Sequence, residues 1–140
     1  MSDRNGAFMH VFVYGTLRAG EVNDISAAAV KYRMAAPTLI GTAKVMGRLY
    51  DFGAYPGLVL DSEGVPVIGE VYEIDDMLIA VLDQIERDYP GDDALFGSRD
   101  VPVEVGGVDV TCRIYPVSSR AVAGMAEIAS GDWVAHRRKG

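Results

Sequence analysis

One cysteine, Cys112, stands in 140 residues, so an intrachain disulfide and a cysteine-rich zinc site are both excluded. Two histidines, His10 and His136, lie near opposite ends of the chain and make a poor ligand set, so no metal is expected. There is no G-x-S-x-G elbow, no G-x-G-x-x-G turn and no phosphate-binding P-loop, and nothing in the sequence demands a nucleotide cofactor. No run approaches the roughly 20 apolar residues of a membrane helix. The first eight residues, MSDRNGAF, contain an acid and no apolar core, unlike a secretory signal. These features predict a cytoplasmic protein without a membrane partner. Basic residues are also scarce: 13 against 20 acids, a net charge of −7. A surface that wraps nucleic acid needs cationic groups to replace phosphate counterions, so a nucleic-acid partner is not expected.

What is present is enough for one ordinary domain, with 49% hydrophobic and 24% charged residues. The acids are concentrated. Residues 61–93 hold eleven of them and a single base, Arg87. Most of that segment reads as a solvated acidic face.

Residues 1–9 read as a flexible lead-in, 10–134 as the domain, and 135–140 as a short, basic, disordered tail. His10 to Tyr14 is β-branched and aromatic with little polar alternation, the pattern of a central strand ending at Gly15. A short helix is predicted from Ile25 to Tyr32, capped by Asn23 or Asp24. Strands are predicted over Thr38–Met46 and Arg48–Tyr50, separated by Gly47, then over Leu58–Leu60 and Val65–Ile74 around the loop 61–64. A hairpin joins Val101–Val105 to Val108–Val117 through Gly106-Gly107, a dipeptide suited to a primed turn. Many short strands with few helices predict an α+β fold: a small mixed β-barrel, or strongly curved sheet, with flanking helices.

The strongest helix signal is Asp76–Arg87. Asp75 can cap it, and Leu78, Val81, Leu82 and Ile85 repeat at the spacing of a buried stripe. Glu86 falls about 40° from Leu82 and about 20° from Ile79 around that helix. A carboxylate at the edge of an apolar stripe loses water, which raises its pKa and suits it to proton transfer. A structural carboxylate can occupy the same position.

The strand-to-loop junction Tyr14-Gly15-Thr16-Leu17-Arg18 can expose backbone N–H groups as an anion nest, or it can be a plain turn. Tyr50, Tyr55, Tyr72 and Tyr115 fall near predicted strand ends or turns, as pocket-mouth hydroxyls or half-buried packing residues. Cys112, inside a strand-like run, reads as a small buried hydrophobe. Asp132-Trp133 reads as a packing plug in a C-terminal loop.

In order along the chain, Tyr14-Gly15-Thr16-Leu17-Arg18, Gly47-Arg48-Leu49-Tyr50-Asp51, Tyr55-Pro56-Gly57, Gly69-Glu70-Val71-Tyr72, Leu82-Asp83-Gln84-Ile85-Glu86, Tyr115 and Ser130-Gly131-Asp132-Trp133 form a composite motif. It resembles the γ-glutamylcyclotransferase-like family, which includes the AIG2-like proteins and γ-glutamylamine cyclotransferases. The resemblance runs from about residue 10 to residue 134. It implies a small mixed barrel with flanking helices, a small-molecule γ-glutamyl substrate and no cofactor. It further implies that Glu86 is catalytic and that Tyr14, Gly15, Thr16, Leu17, Arg18 and Tyr115 bind substrate. The implied reaction closes a γ-glutamyl group onto itself to give 5-oxoproline and a free amine. One departure stands out: Phe96-Gly97-Ser98-Arg99 replaces a Tyr-x-Arg step found in many members. Two other readings stay open, a non-catalytic small-molecule-binding module of the same fold and an acidic docking domain. The sequence does not fix the leaving amine or the oligomeric state.

Overall fold

The computed structural model of the chain describes residues 8–15, 18, 21, 25–34, 36–53, 55–87 and 99–139; at Phe8, Asp76, 83–87 and Lys139 the description is of backbone alone. The order of elements is β1 (Phe8–Val13), α1 (Ile25–Lys31), β2 (Thr38–Asp51), β3 (Pro56–Leu60), β4 (Val65–Asp75), α2 (Asp76–Arg87), β5 (Arg99–Val105), β6 (Val108–Ile114), β7 (Ala126–Glu127) and α3 (Trp133–Lys139). Six strands form one sheet in the order β3-β2-β4-β1-β6-β5, and β7 pairs with β2.

β1 lies in the middle of this sheet. It runs antiparallel to β4, with Val13 opposite Glu70, and parallel to β6, with Val11 opposite Arg113. Its unbroken apolar run has a direct cause, because both faces are covered. Phe12 joins an inner cluster with Leu49, Leu58, Val67, Val71, Val103, Ile114 and Trp133. Val11 and Val13 join an outer cluster beneath α1 and α2.

The sheet curls into a half-barrel. The first residues of β2 bend over β5, where a Cβ on Gly41 would stand 3.0 Å from Val105 Cγ1. An irregularity between Leu39 and Gly41 helps the bend. The mixed α+β fold and the curled sheet agree with the sequence-based expectation. So does the turn at Gly106 and Gly107, whose φ values of 59° and 85° are those that a primed hairpin turn requires.

Two expectations for the strands and tail need correction. Gly47 does not divide two strands, because β2 runs straight through it. There a Cβ would come within 2.6 Å of the Val59 carbonyl oxygen, so the glycine serves close strand approach rather than a break. Residues 133–139 form neither a loop nor a disordered tail but the helix α3, while Trp133 packs in the inner cluster as expected. Asp132 caps it, its Oδ1 accepting the Ala135 N–H at 3.1 Å. The short helix α1 ends at Lys31, one residue earlier than predicted, and Arg33 follows in the left-handed region with φ 56°. Its proposed caps Asn23 and Asp24 lie outside the described residues.

α2 matches its predicted bounds. It follows β4 without a loop, and Asp75 Oδ1 accepts the Met77 N–H at 2.9 Å. Leu78 and Leu82 are fully buried in the outer cluster with Val11, Val13, Tyr72, Ile74 and Tyr115, and Ile79 is nearly so. Among the described residues, no helix is long and apolar enough to cross a membrane.

Candidate active site

The loop that follows β1 leaves the sheet through Tyr14. The Tyr14 hydroxyl is buried, donates to the Tyr115 carbonyl at 2.7 Å and accepts the Leu58 N–H at 3.2 Å. It therefore binds together the end of β1, β3 and the chain just after β6. Gly15 comes next. A Cβ there would lie 2.6 Å from Pro56 Cγ, so only glycine lets this backbone pass against the Tyr55-Pro56-Gly57 segment. The Tyr55 phenol is buried at this junction, and burial pushes its pKa above the ordinary value. Further along, Arg18 N–H donates to the Gly15 carbonyl and Glu21 N–H to the Arg18 carbonyl, each at 3.0 Å.

Arg18 is almost entirely covered, its side chain 11% exposed, and its charge is met twice. Nε donates to Glu70 Oε2 at 3.2 Å and Nη1 to Asp132 Oδ1 at 3.0 Å. Glu70 Oε1 in turn accepts the Tyr72 hydroxyl at 3.1 Å. A few residues on, Glu21 takes both arms of Arg137, each at 2.8 Å. This fork holds the Glu21 carboxyl below the usual carboxylate range.

The structure thus brings together Tyr14, Gly15, Arg18 and Tyr115 from the predicted set. Tyr115 is buried directly after β6, with its side chain in the outer cluster that also holds Leu82. Glu86 lies in the last turn of α2, one turn beyond Leu82; its side chain, and Thr16 and Leu17 entirely, lie outside the described residues. The segment 96–98 of the departing motif is also outside them, while Arg99 opens β5.

The sequence reading placed Glu70 and Asp132 in the composite motif without a site role, gave Asp132 to packing, and assigned no role to Glu21 or Arg137. Glu70 in particular is no solvated member of the acidic segment, since its side chain is 14% exposed and faces an arginine. Its signal was available: it sits between apolar neighbours in a strand buried on both faces, where a charge demands a partner. Asp132 is likewise more than packing. Tyr72 lies within β4 rather than at a strand end, which is why its hydroxyl reaches Glu70 two residues away on the same face. Cys112 is a buried hydrophobe, as predicted, and desolvation pushes its thiol up to about 11. Among the described residues, no group of three or more His, Cys, Asp or Glu side chains could hold a metal ion.

A curled mixed sheet with a glycine loop after its central strand and a helix packed beside that strand defines the class. Residues 11–135 match the family described as gamma-glutamyl cyclotransferase, AIG2-like, and the chain belongs to that family. A Niallia circulans gamma-L-glutamyl-butirosin B gamma-glutamyl cyclotransferase is 40% identical over 85 residues, which are 59% of this chain and 49% of that protein. The Escherichia coli gamma-glutamylcyclotransferase family protein YtfP is 32% identical over 127 residues, 90% of this chain and 96% of its own length. Among solved structures, that of YkqA from Bacillus subtilis superposes with a TM-score of 0.68 at 30% identity, over 93% of this chain and 41% of that one. A mouse AIG2-like protein gives 0.64 at 25% identity, over 80% and 78%. The chain thus spans less than half the length of two of these relatives and nearly all of a third.

Proposed function

We propose that this protein converts a γ-glutamyl amine into 5-oxoproline and the free amine, with Glu86 as general acid/base. The observation that carries this reading is the seating of α2. The helix starts beside Phe8, opposite Asp75, at the beginning of β1, and returns over the outer face of the sheet. Twelve residues at 1.5 Å each span about 18 Å, close to the roughly 20 Å of the six-residue β1. On this reading the last turn, with Glu86, faces the end of β1, where the Tyr14 hydroxyl meets the Tyr115 carbonyl.

The reaction suits a site of this kind. The substrate brings its own nucleophile, the α-amine, which closes a five-membered ring on its target, so holding the chain folded supplies high effective molarity. Glu86 takes one proton from the α-ammonium. The neutral amine attacks the γ-carbonyl carbon, forming the ring C–N bond and a tetrahedral oxyanion. The oxyanion collapses, the original amide C–N bond breaks, Glu86 returns its proton to the departing nitrogen, and the ring nitrogen gives its excess proton back to the same carboxylate, leaving the neutral lactam and the free amine. Backbone N–H groups of Gly15, Thr16 and Leu17 stabilise the oxyanion and hold the α-carboxylate. Arg18 serves the same loop differently. With two carboxylates already on its guanidinium, it fixes the loop rather than grasping the substrate anion. The step calls for no resident metal or cofactor, and the substrate is a small molecule.

The test is 5-oxoproline release from a panel of γ-glutamyl amines, with Glu86→Gln as the control. The wild type is expected to turn over at least one compound, and the variant to lose about 100-fold or more. Equal rates in the two would overturn the role of Glu86. Calorimetric binding of the panel without product in the wild type would make the protein a binding module instead.

A further inference from the structure

The segment from Gly15 to Glu21 and the helix α3 are joined at two separate points. Asp132, the residue that caps α3, also receives Arg18 Nη1 at 3.0 Å through the same Oδ1 that accepts the Ala135 N–H. One turn into the helix, Arg137 grips both oxygens of Glu21. The Glu21 side chain is only 3% exposed, so this carboxylate has given up water and depends on its partner. α3 itself has little freedom. Trp133, 2% exposed, is part of the inner cluster, and His136 Nε2 lies 2.8 Å from Asp51 Oδ2 at the end of β2. The chain entering the helix is pinned to β4, since Ile68 N–H donates to the Gly131 carbonyl at 2.8 Å.

We propose that α3 is a positioning element: through Asp132–Arg18 and Arg137–Glu21 it sets where the backbone from Gly15 to Glu21 lies, and so how tightly a γ-glutamyl substrate is held. The inference rests on the cyclotransferase reading for its functional half. Its structural half stands alone. A forked arginine–carboxylate pair fixes direction as well as distance, which a greasy contact does not. The two clasps are three residues apart on the loop and straddle the first turn of the helix. Neither side can rotate without breaking one of them. Arg137 and Asp132 act through Arg18 and Glu21 and are positioning residues, not catalytic ones.

The experiment uses Arg137→Gln, Glu21→Gln and the double variant in the full chain. Hydrogen exchange of peptides covering 15–21 is expected to accelerate about tenfold in Arg137→Gln, while α2 and the central strands keep their wild-type rates. KM for the best γ-glutamyl amine of the panel is expected to rise about tenfold with kcat within twofold. The double variant should be no worse than either single one, because the pair acts as a unit. Arg137→Lys keeps the charge but not the fork, so an intermediate KM rise of about threefold is expected. It also serves if the glutamine variant fails to fold. Unchanged exchange at 15–21, or acceleration spread evenly over the whole sheet, overturns the clasp. Altered exchange with unaltered KM overturns its role in substrate positioning. Altered exchange in a protein whose wild type cyclises none of the panel leaves the clasp standing and sinks the cyclotransferase reading.

Discussion

The two helices that frame the candidate site are held by opposite kinds of force. α2 lies on the outer face of the sheet through Leu78, Ile79 and Leu82, side chains with no directional demand. α3 has seven residues, WVAHRRK; Trp133 and Val134 pack on the inner cluster, and Asp132, His136 and Arg137 fasten it to two further segments, the loop 15–21 and the end of β2. A helix that short has almost no stability of its own in water. Apolar burial is the larger energy and fixes that a helix packs on the sheet, roughly in proportion to area. Ion pairs and forked hydrogen bonds contribute less net stability and specify more geometry. On this reading α2 maintains the fold around the acid/base, and α3 sets the position of the loop opposite it.

That contrast breaks most visibly at Leu82. Leu82→Ala removes a fully buried side chain beneath α2 and is expected to cost about 2–5 kcal/mol. The midpoint in urea should fall with an unchanged slope. A loss below about 1 kcal/mol would show that α2 is not held by its stripe. Tyr14→Phe comes next. It removes the buried hydroxyl that links the Leu58 N–H to the Tyr115 carbonyl, at an expected cost of about 1–3 kcal/mol. Since Tyr14 stands where the loop leaves the sheet, KM should rise as well. A stability loss with unchanged KM would separate the two effects and place the hydroxyl outside the site.

Much of the α2 side was legible in sequence, and little of the α3 side was. Leu78, Val81 and Leu82 declare a helix because apolar burial leaves a period in the chain. Val11 to Tyr14 declare a central strand because two covered faces leave no polar alternation. Glu21–Arg137 and Arg18–Asp132 leave no such trace. Their partners are over a hundred residues apart, and a lone acid in a loop looks the same whether solvated or paired. For α3 the local signal misled: His136, Arg137, Arg138 and Lys139 read as a solvated basic end, because the acids that receive two of them, Asp51 and Glu21, lie far back in the chain. Gly47 misled in the same way, since glycine marks a break or a close approach and only the position of Val59 decides between them.

Acid titration sharpens the comparison on the α3 side. The Arg137 fork lowers the Glu21 pKa from its ordinary 4.5, and the His136 contact, with the Gly53 N–H second, lowers that of Asp51 from 3.8. A carboxylate with a depressed folded-state pKa contributes stability that is full above its unfolded value and fades as pH drops through the folded one. Melting temperatures of wild type and Glu21→Gln should therefore differ most above about pH 5 and converge below 4.5. Leu82→Ala should keep its deficit from the wild type across the same range, because no titrating group is removed. A Glu21→Gln deficit that grew on acidification would contradict the lowered pKa.

The slowest process expected is the reaction of Cys112 with a thiol reagent in the folded protein. The thiol is buried on the inner face of β6, and loss of water moves its pKa to about 11. At pH 8 only about one molecule in a thousand carries the reactive thiolate, and that thiolate is covered. Labelling should therefore wait for the sheet to open, and its rate reports the cost of opening. Leu82→Ala, by lowering that cost by about 3 kcal/mol, should speed labelling about a hundredfold. Arg137→Gln, which loosens the loop while leaving the inner cluster packed, should stay within about threefold of the wild type. Equal acceleration in the two variants would mean that α3 supports the core as α2 does, and the division of labour between the helices would not hold.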